Sequence, residues 1–242
     1  MSTQLGKALK QSGHKIVQVY SRTKNSSTQL ANKLGAKFTT QIKNLSSLAD
    51  IYIIAVKDEA VKKIASKINI KNKVIVHTSG TLNLNLLNKC SENFGIFYPL
   101  QTLSKERDII FKNIPLFIQA NNKKTEKILL ELGQTIVEHV YKTNSKKRET
   151  LHLAAVIASN FSNHMYYLAQ SILKTQKIPL SILYPLIEET ALKIKKESPK
   201  KMQTGPAVRK DKDVIKKQIK MLSGKKNIQK IYKLISSNIM KK

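Results

Sequence analysis

The sequence predicts an α/β protein in which a doubly wound parallel sheet is followed by an all-helical region. Up to about residue 143, short apolar runs rich in β-branched residues alternate with segments of helical periodicity, and beyond it only helical patterns occur. Strands that are apolar along their whole length are typical of parallel sheets covered by helices on both faces. We therefore predict two domains, residues 1–143 and residues 144–242.

The first strand of the chain is predicted over residues 16–20, with one helix before it in the sequence and one after it. The first helix has apolar residues at helical spacing and a typical stop at Gly13. The second, over residues 26–34, is predicted to begin with a capping box at Ser26 and to end at Gly35. Further strands are predicted at residues 37–39, 49–56, 73–80, 95–102, 114–120 and 136–143.

The helical region begins with one long pattern over residues 145–177. Pro179 is predicted to open the next helix, and a loop with the sequence QTGPAVRKD follows that helix. Two amphipathic helices are predicted over residues 211–222 and 227–238. The region therefore has the size of a separate helical domain.

The composition argues against several functional classes. The net charge of +29 would suit a nucleic-acid binder, but only four of the 44 basic residues are arginine, and the lysines are spread along the chain. We interpret this charge as a solvated basic surface. The absence of a long apolar run and of a signal segment predicts a cytoplasmic protein without a membrane span. Cys90 is the only cysteine, and no residue spacing indicates a metal site.

Polar residues follow several predicted strands, at the edge of the sheet where ligands bind in doubly wound folds. A cationic, hydroxyl-rich turn after the first strand suits the 2′-phosphate of a dinucleotide, and an exposed basic turn is an equal alternative. His77 is a candidate general acid or base, or else a strand-end histidine held by backbone groups. Tyr98, before Pro99, is interpreted as a packing residue. The candidate cofactor-binding residues are Ser21, Arg22, Val56, Lys57, His77, Thr78 and Ser79.

A polar stripe marks the first long helix of the helical region. On an ideal helix of about 100° per residue, His152, Ser159 and Asn163 fall within about 40° of one another, with Asn160 further round. Such groups need hydrogen-bond partners if they are buried, and a cleft between the two domains would supply them. The alternative is that the stripe forms hydrogen bonds that hold one helix against another. The loop QTGPAVRKD adds a Gly-Pro turn and a guanidinium. The candidate substrate residues are Ser159, Asn163, Thr204, Gly205 and Arg209.

Ordered blocks along nearly the whole chain resemble one protein family. They read QVYSR, ADIYIIAVKDEA, VIVHTSG, FYPLQTLSKERDI, RETLHLAAVIASNFSNHMYYLA, PLIEETALK and QTGPAVRKD. The family is a bacterial group of two-domain Rossmann-like proteins of unknown function with a distinctive C-terminal helical domain. It is similar, at a distance, to pyrroline-5-carboxylate reductases, 6-phosphogluconate dehydrogenases and deazaflavin-dependent NADP reductases.

The resemblance implies NADP binding, with Ser21 and Arg22 near the adenosine phosphate and the other candidate cofactor residues along the dinucleotide. It implies that the long helix faces the cleft and that two helical domains pair into a homodimer. Some relatives use a lysine on this helix as the catalytic acid, whereas His152 stands on the equivalent stripe here. The candidate catalytic residues are His152, Asn160 and His77.

The resemblance does not extend to the front of the family's fold. Members of the family begin with an apolar strand and a glycine turn ahead of a segment like STQLGKAL, with which the given sequence starts. Glycines in that turn let the backbone approach a pyrophosphate, so the expectation of NADP lacks this support. The absent strand is normally central, and its neighbours are expected to present unpaired edges.

Two functions agree best with these observations. The first is an NADP-dependent oxidoreductase that moves a hydride to or from a small carbonyl or imine substrate. The alternative is a non-catalytic, dimeric NADP-binding or regulatory protein on a decayed Rossmann scaffold. Binding of nucleic acid is the weakest hypothesis. Fold analogy does not identify a substrate.

Overall fold

The computed structural model describes residues 1–104, 107 and 109–241. Within them the chain divides into two compact units, Met1–Asn160 and Phe161–Lys242. The predicted fold class, a Rossmann-like α/β region followed by a helical region, is confirmed. The predicted domains 1–143 and 144–242 remain a proposal; their boundary lies at the start of a helix that begins at Ser145.

The first unit alternates strands and helices as the sequence pattern predicts. Its helices are α1 (Ser2–Gln11), α2 (Lys24–Leu34), α3 (Asp58–Ala65), α4 (Lys123–Gln134) and α5 (Ser145–Ala155). Its strands are β1 (Gln18–Tyr20), β2 (Lys37–Thr39), β3 (Ile51–Ile54), β4 (Val74–His77), β5 (Asn93–Pro99), β6 (Leu116–Ala120) and β7 (Val140–Lys142).

The strands form two separate sheets. β1 and β2 pair in parallel, and the second sheet has the order β3-β4-β5-β6-β7. β6 runs antiparallel to β5, so the sheet is mostly and not wholly parallel. The reason is the connection: between Pro99 and Leu116 the described residues contain only the short 3₁₀ turn Phe111–Asn113, whereas a parallel crossover usually needs a helix.

The five-stranded sheet separates two hydrophobic clusters. One cluster packs α1 and α4 against one face through Leu5, Leu9 and Leu129, and the other packs α3 against the opposite face through Val61 and Ala65. Alternate residues of β4 point into each cluster, as expected for a strand covered on both sides. The sheet therefore has helices on both faces.

Two helix starts differ from the sequence prediction. α2 begins at Lys24, and its cap is Thr23, whose side chain accepts a hydrogen bond from the backbone N–H of Ser26; the capping box predicted at Ser26 is wrong. Gly35 ends this helix in the left-handed conformation, as predicted. Pro179 precedes a 3₁₀ turn and not the helix itself. The helix begins at Tyr184, and Pro185 lies in its first turn, where proline is well tolerated.

The second unit is helical. It contains α6 (Ser162–Leu173), α7 (Tyr184–Lys196), α8 (Lys212–Met221) and α9 (Lys226–Met240). The long helix predicted over residues 145–177 is interrupted, because Val156–Phe161 forms a π-helical turn between α5 and α6. A π turn is wider than an α turn, so the ideal angular spacing of His152, Ser159 and Asn163 does not hold across it.

No helix in the described ranges is long and apolar enough to cross a membrane. The cytoplasmic location remains a prediction from the sequence.

Candidate active site

The loop that follows β4 forms the centre of the candidate site. Ser79 donates its hydroxyl to Asp58 at 2.8 Å and accepts hydrogen bonds from the backbone N–H groups of Thr81 and Leu82 at 3.1 Å each. Thr81 donates to the same Asp58 oxygen at 2.7 Å. These bonds fix the turn at the carboxyl end of β4 against the first residue of α3. The Ser79 hydroxyl is fully engaged in holding the turn.

His77, the last residue of β4, is completely buried. Its Nδ1 accepts a hydrogen bond from the backbone N–H of Ser79 at 3.2 Å, so the neutral ring carries its proton on Nε2. Among the described residues, Nε2 has no hydrogen-bond partner of ordinary geometry. Burial lowers the pKa of His77 to about 4, with the Arg148 charge acting in the same direction and Asn83 and Asp58 opposing it. The ring is therefore neutral at physiological pH.

Tyr98 and His152 form a hydrogen-bonded pair beside this loop. The Tyr98 hydroxyl lies 3.0 Å from His152 Nδ1, and the rings meet edge to face with centroids 6.1 Å apart. Gly80 packs against both: a Cβ at this position would lie 2.6 Å from His152 Nδ1 and 2.9 Å from Tyr98 Cζ. Burial raises the pKa of Tyr98, so its phenol remains protonated near neutral pH. The pair is a potential proton donor at the edge of the sheet where β4 and β5 end.

Arg148 anchors the same loop from α5. Its side chain is completely buried, and it donates from Nε to Gly80 O (3.3 Å), from Nη2 to Leu82 O (2.6 Å) and from Nη1 to Gln119 Oε1 (2.5 Å). None of these acceptors is a carboxylate, so neutral dipoles hold a buried positive charge. Arg148 stands four residues before His152, which places both side chains on one face of α5.

The structure separates the predicted cofactor residues into two groups. Ser21, Val56 and Lys57 line one cavity of the first unit, whereas His77, Thr78 and Ser79 belong to the buried loop after β4. Within the described residues, the exposed Arg22 side chain makes no hydrogen bond or ion pair. The first turn of α2, which begins two residues later, contains no acidic residue.

The candidate substrate residues fall into different units. Ser159 belongs to the first unit, and its hydroxyl lies 2.9 Å from the Thr102 hydroxyl. Asn160, a predicted catalytic residue, is exposed at the end of that unit. The second unit contains Asn163, Thr204, Gly205 and Arg209; Gly205 adopts a φ of 108°, and Arg209 is exposed. The roles assigned to these residues remain predictions.

Sequence reasoning missed two residues of this site. Tyr98 is interpreted from the sequence as a packing residue, and it does belong to a core cluster, but its hydroxyl is also paired with His152. Arg148 received no role, although a signal existed, since arginine is rare among the 44 basic residues of this chain. Where lysine is the default cation, an arginine indicates a position that needs the guanidinium geometry.

In the ranges that the structure describes, no three His, Cys, Asp or Glu side chains lie close enough together to hold a metal ion. Cys90 is buried, its Sγ donates to the carbonyl of Ala65, and burial raises the pKa of the thiol. A thiol in this state is a weak nucleophile. We therefore assign Cys90 to the core.

Two family models match the chain. Residues 114–239, just over half of the chain, match the domain of unknown function DUF2520. Residues 1–80 match the family described as NADP oxidoreductase, coenzyme F420-dependent. Among curated proteins, none matches the chain significantly.

Solved structures share the fold over almost the whole chain. A Bacteroides fragilis protein, provisionally named an NADP oxidoreductase, is 39% identical with a TM-score of 0.91, over 100% of this chain and 94% of that chain. An imine reductase from Myxococcus stipitatus in complex with NADP+ is 12% identical with a TM-score of 0.64, over 100% and 89%. A 1-pyrroline-5-carboxylate reductase from Streptococcus pyogenes is 12% identical with a TM-score of 0.58, over 99% and 95%.

The similarities at 12% identity show the fold alone. The family is shown by the match over half of the chain and by the relative at 39% identity. Both agree with the two-domain Rossmann-like family that the sequence blocks resemble. This chain belongs to the family of the domain of unknown function DUF2520.

Proposed function

We propose that this protein is an NADP-dependent oxidoreductase that transfers a hydride to or from a small carbonyl or imine substrate. The hydrogen-bonded pair of Tyr98 and His152 carries the proposal, because reduction of a C=O or C=N bond needs one proton in addition to the hydride. The match of residues 1–80 to an NADP oxidoreductase family supports it, as does the name of the Bacteroides fragilis relative.

When bound, the nicotinamide supplies the hydride. The protein's part is to donate a proton from the Tyr98 hydroxyl to the oxygen or nitrogen of the substrate. His152 Nδ1, 3.0 Å away, is hydrogen-bonded to the Tyr98 oxygen and orients it, and the phenolate regains its proton from water. The raised pKa of Tyr98 keeps the donor protonated until substrate is present. In the direction of oxidation the same atoms accept the proton.

The end of β1 fits the phosphate of NADP. Arg22 is exposed there, Lys24 opens α2, and the first turn of α2 has no carboxylate to repel an anion. Val56 and Lys57 follow β3 on the same cavity as Ser21. We propose that these residues hold the adenosine end of the cofactor.

His77 suits a positioning role at this site better than proton transfer. Its ring is buried and neutral, and Nδ1 orients the turn through Ser79. Ser159 and Asn163 remain proposed contacts to the substrate, and Asn160 remains a proposed catalytic residue.

We also propose that the second unit pairs with a second copy of itself. Its buried apolar residues are few among those described: Ala207, Ile215 and Leu222. Large apolar side chains face solvent instead, including Tyr167 (61% exposed), Leu186 (63%) and Leu234 (71%). A helical unit with so little core needs a covering partner, and symmetric homodimers are the commonest solution. Analytical ultracentrifugation should show a dimer. Leu234→Lys should weaken this dimer, whereas Ile110→Lys, an equally exposed control in the first unit, should leave it intact.

Turnover tests the proton donor. Purified protein is given NADPH with a panel of cyclic imines and 2-keto acids, and the loss of reduced nicotinamide is followed by absorbance. Tyr98→Phe should lower kcat by about a hundredfold while the Kd for NADPH is unchanged. Tyr141→Phe, an exposed tyrosine on β7, is the matched control. Equal rates in both variants would remove Tyr98 from the mechanism.

Binding tests the cofactor separately. Calorimetry with NADPH, NADH and a deazaflavin should give the lowest Kd for NADPH. Arg22→Gln should raise the Kd for NADPH by about tenfold and leave the Kd for NADH unchanged. Lys89→Gln, an exposed cation elsewhere on the unit, should have no effect. Preference for the deazaflavin would overturn NADP as the cofactor. Tight NADPH binding with no turnover on any substrate would favour the non-catalytic alternative.

A further inference from the structure

The turn at residues 79–82, after β4, is held by two side chains of opposite charge. Asp58 of α3 accepts hydrogen bonds from two hydroxyl groups of the turn, at 2.8 and 2.7 Å. Arg148 of α5 donates hydrogen bonds to two backbone carbonyls of the same turn, at 3.3 and 2.6 Å. A carboxylate and a guanidinium therefore fix one short segment of backbone.

The positive charge of Arg148 is costly where it lies. Its side chain is completely buried, and its three acceptors in the described part of the chain are the two carbonyls and the side-chain oxygen of Gln119, all of them neutral. Burial lowers the pKa of Arg148, whereas the charges of Glu149 and of ionised Tyr98 raise it. An apolar side chain of similar volume would pack here without the cost of burying a charge. The charge therefore indicates a use beyond packing.

Gly80 alone separates Arg148 from the Tyr98 hydroxyl. The Gly80 carbonyl accepts the hydrogen bond from Arg148 Nε, and a Cβ on Gly80 would lie 2.9 Å from Tyr98 Cζ, the carbon that bears the hydroxyl. Both side chains are buried, so little water screens one from the other. A charge at such a separation in a buried region has a sizeable effect on its neighbour.

We propose that Arg148 is a positioning residue for the proton donor, which fixes the turn against Tyr98 and His152 and stabilises the Tyr98 phenolate by its positive charge. The proposal rests on the proposed function, in which Tyr98 donates a proton. In that step the Tyr98 O–H bond breaks, the proton goes to the oxygen or nitrogen of the substrate, and the negative charge stays on the phenolic oxygen until water returns a proton. Because the guanidinium is already fixed in place, no side chain has to move to meet the new charge.

Two charges act on the Tyr98 phenol in opposite directions. Burial has the largest effect and raises the pKa of Tyr98; the Arg148 charge lowers it, and the Asp58 charge raises it by less than Arg148 lowers it. His152 contacts the phenol through Nδ1, and the buried His77 is neutral at physiological pH. Of these neighbours, Arg148 is therefore the one whose charge favours the phenolate.

Titration of the phenol at position 98 tests the proposal. A difluorotyrosine, whose phenol is more acidic than that of tyrosine, replaces Tyr98 in the full chain, and fluorine NMR follows its ionisation. In Arg148→Gln the pKa of this phenol should rise, because a positive charge is lost. In Asp58→Asn it should fall, because a negative charge is lost. The same label at Tyr141, an exposed tyrosine of β7, is the matched control and should respond alike in all three proteins.

The two variants separate an effect of charge from a loosened turn. Asp58 and Arg148 hold the same turn, so damage to the turn would move the phenol in the same direction in both variants. Opposite shifts support the proposal, whereas shifts of the same sign, or no shift in Arg148→Gln, overturn it. If Arg148→Gln does not fold, Arg148→Lys takes its place, since it keeps the charge and loses the planar fork. The phenol should then titrate close to its wild-type pKa, and a marked rise would overturn the proposal.

Turnover provides a second measurement and separates this proposal from the proposed function. With NADPH and an accepted imine or keto acid, Arg148→Gln should lower kcat by about tenfold with KM unchanged, and Arg148→Lys should recover part of the loss. A change in KM with kcat unchanged would contradict a role in proton donation. If the wild type turns over no substrate, the proposed function fails. The titration of the unliganded protein still decides whether Arg148 stabilises the phenolate.

Discussion

β3 and β4 are neighbours in one sheet and have similar apolar sequences, yet their environments differ. All four residues of β4 are buried, with Ile75 and Val76 completely so. In β3 only Ile54 is buried, and the other three residues are half-buried. β4 has a strand on each side, whereas β3 has β4 on one side and, on the other, a cavity of about 900 Å³ that it shares with β1 and that we call the slot.

The difference shows that an apolar run predicts a strand but not its degree of burial. Burial depends on what lies beside the strand as well as on the helices above and below it. The sequence predicts a strand covered on both faces for each run; both strands pack into the clusters of both faces, but only β4 is buried along its whole length. The four predictions that follow probe this contrast, from the largest expected effect to the smallest.

Truncation of an apolar residue should cost more in β4 than in β3. Ile75→Ala should lower the free energy of unfolding by about 4 kcal/mol, because the side chain is completely buried and leaves a cavity. Ile53→Ala, in the half-buried strand, should cost about 1.5 kcal/mol. Urea unfolding followed by circular dichroism measures both. Equal losses would mean that the slot does not reduce the packing of β3.

His77 at the end of β4 should make stability fall in acid. Its pKa in the folded protein is about 4, below the ordinary value of 6.5, so the unfolded chain binds the proton more readily. The contribution is complete above pH 6.5 and is lost as the pH falls toward 4, by about 3 kcal/mol in total. His77→Asn removes this dependence. Between pH 7 and pH 5, the urea concentration at the midpoint of unfolding should fall more steeply for the wild type than for His77→Asn. Equal slopes for the two proteins would contradict the prediction.

Much of the fold follows from local sequence patterns. The run KFT became β2 with its predicted bounds, and Gly35 ends α2 in the left-handed conformation because glycine tolerates a positive φ. The π turn at Val156–Phe161 has no such signal, and the antiparallel β6 depends on a connection without a long helix. These features depend on tertiary context and not on residue spacing.

The candidate site was only partly predictable for the same reason. His77 and Ser79 were found because they follow a strand pattern, and the ends of strands are where ligands bind in such sheets. Tyr98 and Arg148 act through partners 54 and 68 residues away, His152 and Gly80 respectively. Spacing in the sequence does not indicate contacts over such separations.

Gly80→Ala should disturb the site more than the fold. The added Cβ would lie within 3 Å of both His152 Nδ1 and Tyr98 Cζ, so the pair must shift. We expect a loss of about 2 kcal/mol in unfolding free energy and the disappearance of the Tyr98–His152 hydrogen bond. Proton NMR of the His152 ring, compared with that of the exposed His164, reports the change. An unaltered His152 resonance would contradict the close packing at Gly80.

The smallest effect is expected at the cap of α2, beside the two-stranded sheet. Thr23→Ala removes the side chain that accepts from the N–H of Ser26, which should cost about 1 kcal/mol. Ser26→Ala, the cap that the sequence pattern predicts, should cost less and is the matched control. Because β1 and β2 form a sheet of their own, faster hydrogen exchange should stay within α2, β1 and β2 and leave the β4 amides unchanged. If the β4 amides exchange faster as well, the two sheets unfold as one cooperative unit despite the slot.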